Sequence, residues 1–215
     1  MKTLQNLLAE FIGTFALLFI GIGATYSTGE EILTVALAHG LAIAMMASTF
    51  GYISGGYFNP AVTFGSWLGG KLSFVTALLY LIVQLAGAIA ASFICVHIFE
   101  AQGVIDTTPQ IVEGLTIPQA LLIEGILTFF LMLVIFGTAL DERAPKLGGL
   151  MIGLTVSADI LFGGPLTGGA MNPARVFGPA VAANFWLNHW VYWVGPLAGA
   201  AVAGLVYRLF FRHKH

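Results

Sequence analysis

The sequence predicts an all-α membrane protein in which six transmembrane helices and two re-entrant half-helices form an inverted repeat. Three observations carry that expectation. Of the 215 residues, 58% are hydrophobic and 8% charged, with mean hydropathy +0.93, far from the roughly 25% charged residues of a soluble domain. Apolar runs of spanning length recur six times. The tripeptide Asn-Pro-Ala occurs twice, as Asn59-Pro60-Ala61 and Asn172-Pro173-Ala174, each two residues after a Gly-Gly pair.

The runs fall at about 7–26, 33–52, 72–99, 118–140, 147–163 and 189–211, each near the ~20 residues that a tilted spanning helix needs. The first run is long and carries Glu10, which argues against a cleaved signal peptide. Between the second and third runs, and again between the fifth and sixth, lies a Gly/Pro-broken stretch holding one Asn-Pro-Ala. Asn can cap the free N–H groups of a first helical turn, and Pro at the next position sacrifices no hydrogen bond. The helices that should follow, about 60–70 and 173–183, reach only about half of a ~30 Å hydrocarbon core at 1.5 Å per residue. They are therefore expected to be re-entrant, because irregular backbone at membrane depth survives only where protein buries it or water lines it.

The chain repeats itself. LLAEFIGTFALLF from Leu7 resembles LLIEGILTFFLML from Leu121, HGLAIAM matches IGLTVSA, and QLAGAIAA matches PLAGAAVA, all at an offset of 112–114 residues. Repeats of about 1–100 and 115–215 within one domain over 1–215 follow. Three spans per repeat is an odd number, so the second copy enters the membrane inverted and the two half-helices meet near the midplane. With the N-terminus cytoplasmic, Lys2, Lys71, Arg143, Lys146, Arg208, Arg212 and Lys214 share the cytoplasmic side, while Glu30, Glu31, Glu100, Asp106 and Glu113 lie opposite. The positive-inside rule thus predicts two cytoplasmic termini. The basic tail RLFFRHKH reads as an interface anchor.

Other classes fit poorly. Cys95 is the only cysteine, so no intrachain disulfide can form. No nucleophile with a nearby base, metal-ligand cluster or phosphate loop is visible, and His97, His189, His213 and His215 sit at span ends or in the tail. Neither an enzyme nor a cofactor nor a nucleic-acid partner is expected. A secondary transporter shares the inverted architecture, but the spans offer no ionic pair beyond the repeat-start Glu10 and Glu124.

These features resemble the aquaporin, or major intrinsic protein, family: six spans, inverted repeats, paired Asn-Pro-Ala loops, repeat-start glutamates and the NPAR run ending in Arg175. The resemblance covers essentially the whole chain and implies a passive channel for water and small neutral solutes in the lipid bilayer, assembled as a homotetramer. Glycerol facilitators of the family typically place Asp after the Arg and Pro-Leu in the sixth span; here those positions are Val176 and Tyr192-Trp193, which favours the water branch. The family's four-residue filter maps onto His39, Ile160, Gly169 and Arg175, a set that resembles a subgroup of plant tonoplast intrinsic proteins conducting ammonia as well as water, with Gly169 expected to leave space that a side chain would fill. The compact termini suit a cell (inner) membrane.

Each singled-out residue has a physical expectation. Asn59 and Asn172 supply amide donors at the midplane, and the two half-helix N-termini with Arg175 oppose cations, hydronium included. Ile160, Val176 and Phe177 are expected to form the apolar wall. Glu10 and Glu124 are expected to accept hydrogen bonds from the irregular backbone before each Asn-Pro-Ala. Asp159 either pairs with loop backbone or faces the outer vestibule. Gly13, Gly87, Ala88, Gly199 and Ala200 allow close helix crossing. Mercurials block many water channels at a cysteine in the filter; Gly169 stands there, so only weak block of water flux is expected, and strong inhibition persisting in Cys95→Ser would contradict the filter assignment.

Overall fold

A computed structural model of the chain describes residues 2–29, 31–141, 143 and 147–211. Eight α-helices account for nearly all of them: α1 (Lys2–Ser27), α2 (Ile32–Ser54), α3 (Pro60–Leu68), α4 (Phe74–Asp106), α5 (Ile117–Ile135), α6 (Gly148–Thr167), α7 (Pro173–Ala183) and α8 (Val191–Val206). α5 and α8 each continue into a π-helical turn, Phe136–Leu140 and Tyr207–Phe211. Six of these helices, α5 and α8 taken with their π turns, are long and apolar enough to span a bilayer. The short α3 and α7 are the half-helices.

The polar punctuation of the sequence sets the boundaries. Glu31 caps α2 by accepting Thr34 N–H at 2.8 Å, Ser73 caps α4 through Thr76 N–H at 3.2 Å, and Thr116 with Gln119 closes a capping box on α5. The spanning part of α4 ends at Glu100, beside the expected end near residue 99, and the stretch to Asp106 continues beyond a break there. With φ 63 and ψ 169, Glu100 ends one helix and starts a short second one over 101–106, in a region of backbone space that is essentially reserved for glycine.

Packing follows the inverted repeat. α1 lies against α2 and α4, as α5 lies against α6 and α8, and α2 meets α6 between the halves. Each half-helix is gripped by the other half: α7 packs on α4, and α3 on α8. Small residues permit the approach: a Cβ at Gly87 would stand 2.5 Å from the Phe11 carbonyl oxygen, and one at Gly199 would overlap the backbone of Gly125. Lys71, Arg143 and Arg208 share the end of the bundle where α4 begins and α5 and α8 finish. Glu30, Lys146, Arg212, His213, Lys214 and His215 lie outside the described residues.

Candidate functional site

The two Asn-Pro-Ala segments meet head to head. Asn59 and Asn172 are extended N-caps at φ −156 and φ −146, each followed by Pro as the first helical residue. The Asn59 Oδ1 accepts from Ala61 N–H at 2.8 Å, and the Asn172 Oδ1 from Ala174 N–H at 3.0 Å. Their amide nitrogens cross between the halves. Asn59 Nδ2 donates to the Met171 carbonyl at 2.8 Å, and Asn172 Nδ2 to the Phe58 carbonyl at 3.0 Å. One of the two N–H groups on each amide is thereby committed to holding the apex closed, leaving one for a solute.

Phe58 and Met171 adopt left-handed backbone, φ 49 and φ 51, at a cost of roughly 1–2 kcal/mol each. Two buried glutamates hold them there. Glu10 accepts from Ser54 Oγ (2.6 Å), Tyr57 N–H (3.0 Å), Phe58 N–H (2.7 Å) and Gln84 Nε2 (2.9 Å). Glu124 accepts from Thr167 Oγ1 (2.7 Å), Ala170 N–H (2.9 Å) and Met171 N–H (2.7 Å). Tyr80 and Tyr192 complete the correspondence by donating to the Ser54 and Thr167 carbonyls at 2.9 and 2.8 Å. The halves differ at one position: Gln84 in the first is matched by Pro196 in the second, so Glu124 has no counterpart to the Gln84 donor.

Two chambers lie in line. The central one, lined by His39, Asn59, Ala170, Met171 and Asn172 and by the apolar Ile43, Leu131, Ile152 and Val156 among others, has about 30 Å³ of room for water-sized spheres. The outer one, lined by Thr25, Val35, Thr107, Thr108, Pro109 and Gln110 among others, has about 340 Å³. Ile160 and Arg175 line both and so mark the neck between them. Arg175 is 8% exposed and donates through Nη1 to the carbonyls of Gly168 (3.0 Å) and Gly169 (2.5 Å). Among the described residues no carboxylate lies within 4.0 Å of it, so its charge is not cancelled by an ion pair. His39 shares its Nδ1 proton with the Val35 carbonyl at 2.8 Å; a carbonyl can only accept, so a neutral His39 presents Nε2 as an acceptor.

Gly169 enters this neck through its backbone. Its φ is +52, and a Cβ would stand 3.3 Å from Ile160 Cα and Gly164 N, aimed at α6. The position therefore supplies a close approach and a carbonyl for Arg175, where the sequence suggested an empty side-chain slot.

The expected apolar wall is corrected in two places. Val176 is buried against Ala170 and Tyr192, and Phe177 packs on Trp186, His189 and Trp193. Successive helical residues turn by about 100°, so neither follows Arg175 to the chamber; Ile43, Leu131, Ile152 and Val156 form that surface with Ile160. Sequence reasoning also missed Gln84, a lone amide in an apolar span that a search for intramembrane polar residues would find. The mouth segment Thr107–Gln110 was missed too, although its polar TTPQ run after an apolar stretch was the available signal. Pro109 packs where a Cβ at Gly168 would sit, 2.6 Å away, and Val112 N–H bonds the Leu166 carbonyl at 2.9 Å.

Asp159 takes neither expected role. It is 8% exposed, lines neither chamber, and its Oδ2 has no hydrogen-bond partner. A carboxyl oxygen buried without a partner costs stability. Asp159→Asn, which removes the charge at constant shape, is expected to raise the melting temperature of the detergent-purified protein, by the equivalent of about 1–2 kcal/mol; a lowered melting temperature would reveal a partner for the carboxylate.

Inverted halves, half-helices capped against each other and a narrow chamber behind a cationic neck define a multi-pass membrane channel. The family model described as Major intrinsic protein matches residues 1–207. Aquaporin TIP2-1 of Arabidopsis thaliana is 40% identical over 96% of this chain and 87% of its own length, and Aquaporin TIP1-2 of Musa acuminata is 41% identical over 95% and 86%. The solved structure of the aquaglyceroporin from Plasmodium falciparum superposes with a TM-score of 0.86 at 25% identity, covering 97% of this chain and 96% of that one. The chain belongs to the major intrinsic protein, or aquaporin, family.

Proposed function

We propose that the protein is a passive pore for water that also conducts ammonia and refuses protons and ions, with His39, Ile160, Gly169 and Arg175 as its filter. The observation that carries this reading is the neck shared by the two chambers, lined by Ile160 and by Arg175, which is unpaired with any described carboxylate. Water entering a single file needs replacement partners that bind weakly enough to release it. The free N–H on each of Asn59 and Asn172, the loop carbonyls and His39 Nε2 suit that need, while Ile43, Leu131, Ile152 and Val156 in the same lining offer nothing to bind. Cations meet Arg175 and the N-termini of α3 and α7, whose partial positive charges converge on the apex. Ammonia, neutral and able both to donate and to accept, uses the same file.

In this reading one channel domain spans 1–215, with repeats of about 1–100 and 115–215. Both termini face the cytoplasm, in the cell (inner) membrane. Four copies assemble, each with its own pore, the exposed apolar faces of α1, α2, α5 and α6 meeting lipid or a sister subunit.

A glycerol pore is the second reading, favoured by the likeness to the Plasmodium aquaglyceroporin; Val176 and Tyr192-Trp193 stand against it. Stopped-flow light scattering on proteoliposomes, with water, glycerol and ammonia gradients on one preparation, separates the two. Fast water and ammonia with glycerol at the rate of empty vesicles is the expected pattern. Ammonia no faster than in empty vesicles would remove it from the substrates.

A further inference from the structure

Away from the pore, a cavity of about 500 Å³ opens between the ends of α5 and α8, lined by Leu133, Phe136, Gly137, Asp141, Arg143, Tyr207 and Phe211. The two helices are in tight contact where Gly199 meets Gly125. At this end both change to π turns, the Phe136 and Tyr207 rings stack at 4.2 Å and 2°, and a Cβ at exposed Gly137 would find no atom within 4 Å. The result is an apolar slot at the level where a spanning helix leaves the hydrocarbon.

Its rim is built from charge. The Asp141 carboxylate takes Arg143 Nε at 2.8 Å, Arg143 Nη2 at 2.7 Å and the Tyr207 hydroxyl at 3.0 Å. Arg143 Nη2 also donates to the Phe211 carbonyl at 2.9 Å, pinning the guanidinium across the mouth of the slot. These bonds hold the Asp141 carboxyl well below its ordinary range, so the arrangement persists through physiological pH. The Arg143 side chain nonetheless stays 59% exposed, with Nη1 making no hydrogen bond among the described residues. Lys71 Nζ sits 5.5 Å from the centre of the Tyr207 ring, and Arg208 lies exposed one residue further on. Neither is within 4.0 Å of a described carboxylate. Among the described residues, three cations thus lie near one neutralised anion at this end of the bundle, above a greasy slot.

We propose that this cavity binds an anionic phospholipid, its phosphate at Arg143 in the field of Lys71 and Arg208, and one acyl chain in the slot over Gly137 against Leu133 and Phe211. The complementarity is that of an amphiphile: basic residues at the membrane surface attract acidic headgroups, and an apolar groove continuous with the bilayer accepts the attached chain. The inference rests on the membrane-spanning reading but not on what the pore conducts.

Native mass spectrometry of the full chain, with phosphatidylglycerol and phosphatidylcholine of identical acyl chains, tests it. Phosphatidylglycerol should be retained about fivefold more than phosphatidylcholine, and excess inorganic phosphate should not displace it. Replacing the rim pair together, Asp141→Asn with Arg143→Gln, should bring the ratio to about one. Gly137→Leu should fill the slot and cut retention of both lipids while leaving water permeability unchanged. Equal retention of the two lipids, selectivity that survives the rim variant, or release by inorganic phosphate would each overturn the proposal. The comparison of lipids on the unaltered chain decides even if a variant fails to fold.

Discussion

Arg175→Val is expected to turn the pore into a proton leak. A unit charge about 6 Å from the path of a permeating cation, at an effective dielectric of about 20, contributes ~3 kcal/mol to its barrier, which is roughly a hundredfold in rate. Arg175 makes no ion pair with a described carboxylate, so its removal breaks no salt bridge. It does free the Gly168 and Gly169 carbonyls that Nη1 now engages, and free acceptors at the neck add to the attraction for cations. Proteoliposomes loaded with a pH-sensitive dye should therefore acidify about a hundred times faster under a proton gradient, with water permeability kept within about twofold. Proton flux at the level of empty vesicles would show that the half-helix ends and the apex suffice without Arg175.

Glu124→Ala should be the most damaging single change to the fold. It strips the acceptor from Thr167 Oγ1, Ala170 N–H and Met171 N–H, all buried, and only Thr167 keeps a second acceptor, the Gly163 carbonyl at 3.4 Å. At roughly 1–3 kcal/mol for each unsatisfied group, the total approaches the whole stability of an ordinary domain. Met171 would also lose the bond that keeps its backbone left-handed, and with it the carbonyl position that receives Asn59. Folded, monodisperse yield should collapse, and any protein recovered should conduct water at less than about a tenth of the normal rate. Glu124→Gln keeps one acceptor oxygen but turns an amide toward N–H donors, so an intermediate loss is expected. Normal yield and flux for Glu124→Ala would mean that the loop is held mainly by Tyr192 and packing.

Much of this is legible in the sequence because the chemistry is local or repeated. An Asn-Pro pair states a helix start by itself, a helix of about 11 residues cannot cross a bilayer, and an offset of 112–114 residues pairs Glu10 with Glu124 whatever their surroundings. The illegible parts depend on direction. Val176 and Phe177 follow Arg175 in sequence, yet helical phase turns them toward α8 and its aromatic neighbours. Gly169 suggested vacant space, but the direction of its missing Cβ was set by a positive φ that the sequence does not state. The break at Glu100 had no glycine to announce it. The partner of Gln84 lies 74 residues away, beyond any periodic pattern.

The crossed amide bonds at the apex bear on how such a chain comes to exist. Phe58 offers its carbonyl to Asn172, and Met171 to Asn59, so each half closes only with a donor borrowed from the other. While the ribosome has delivered only the first three spans, the tip of α3 has an acceptor waiting in a dry interior, a state that backbone polar groups do not tolerate for long. Final seating of the first loop must therefore await the last third of translation. The same reciprocity means that a single half, unable to satisfy its own apex, would be complete only when paired antiparallel with another, and one chain carrying both halves secures that meeting by itself.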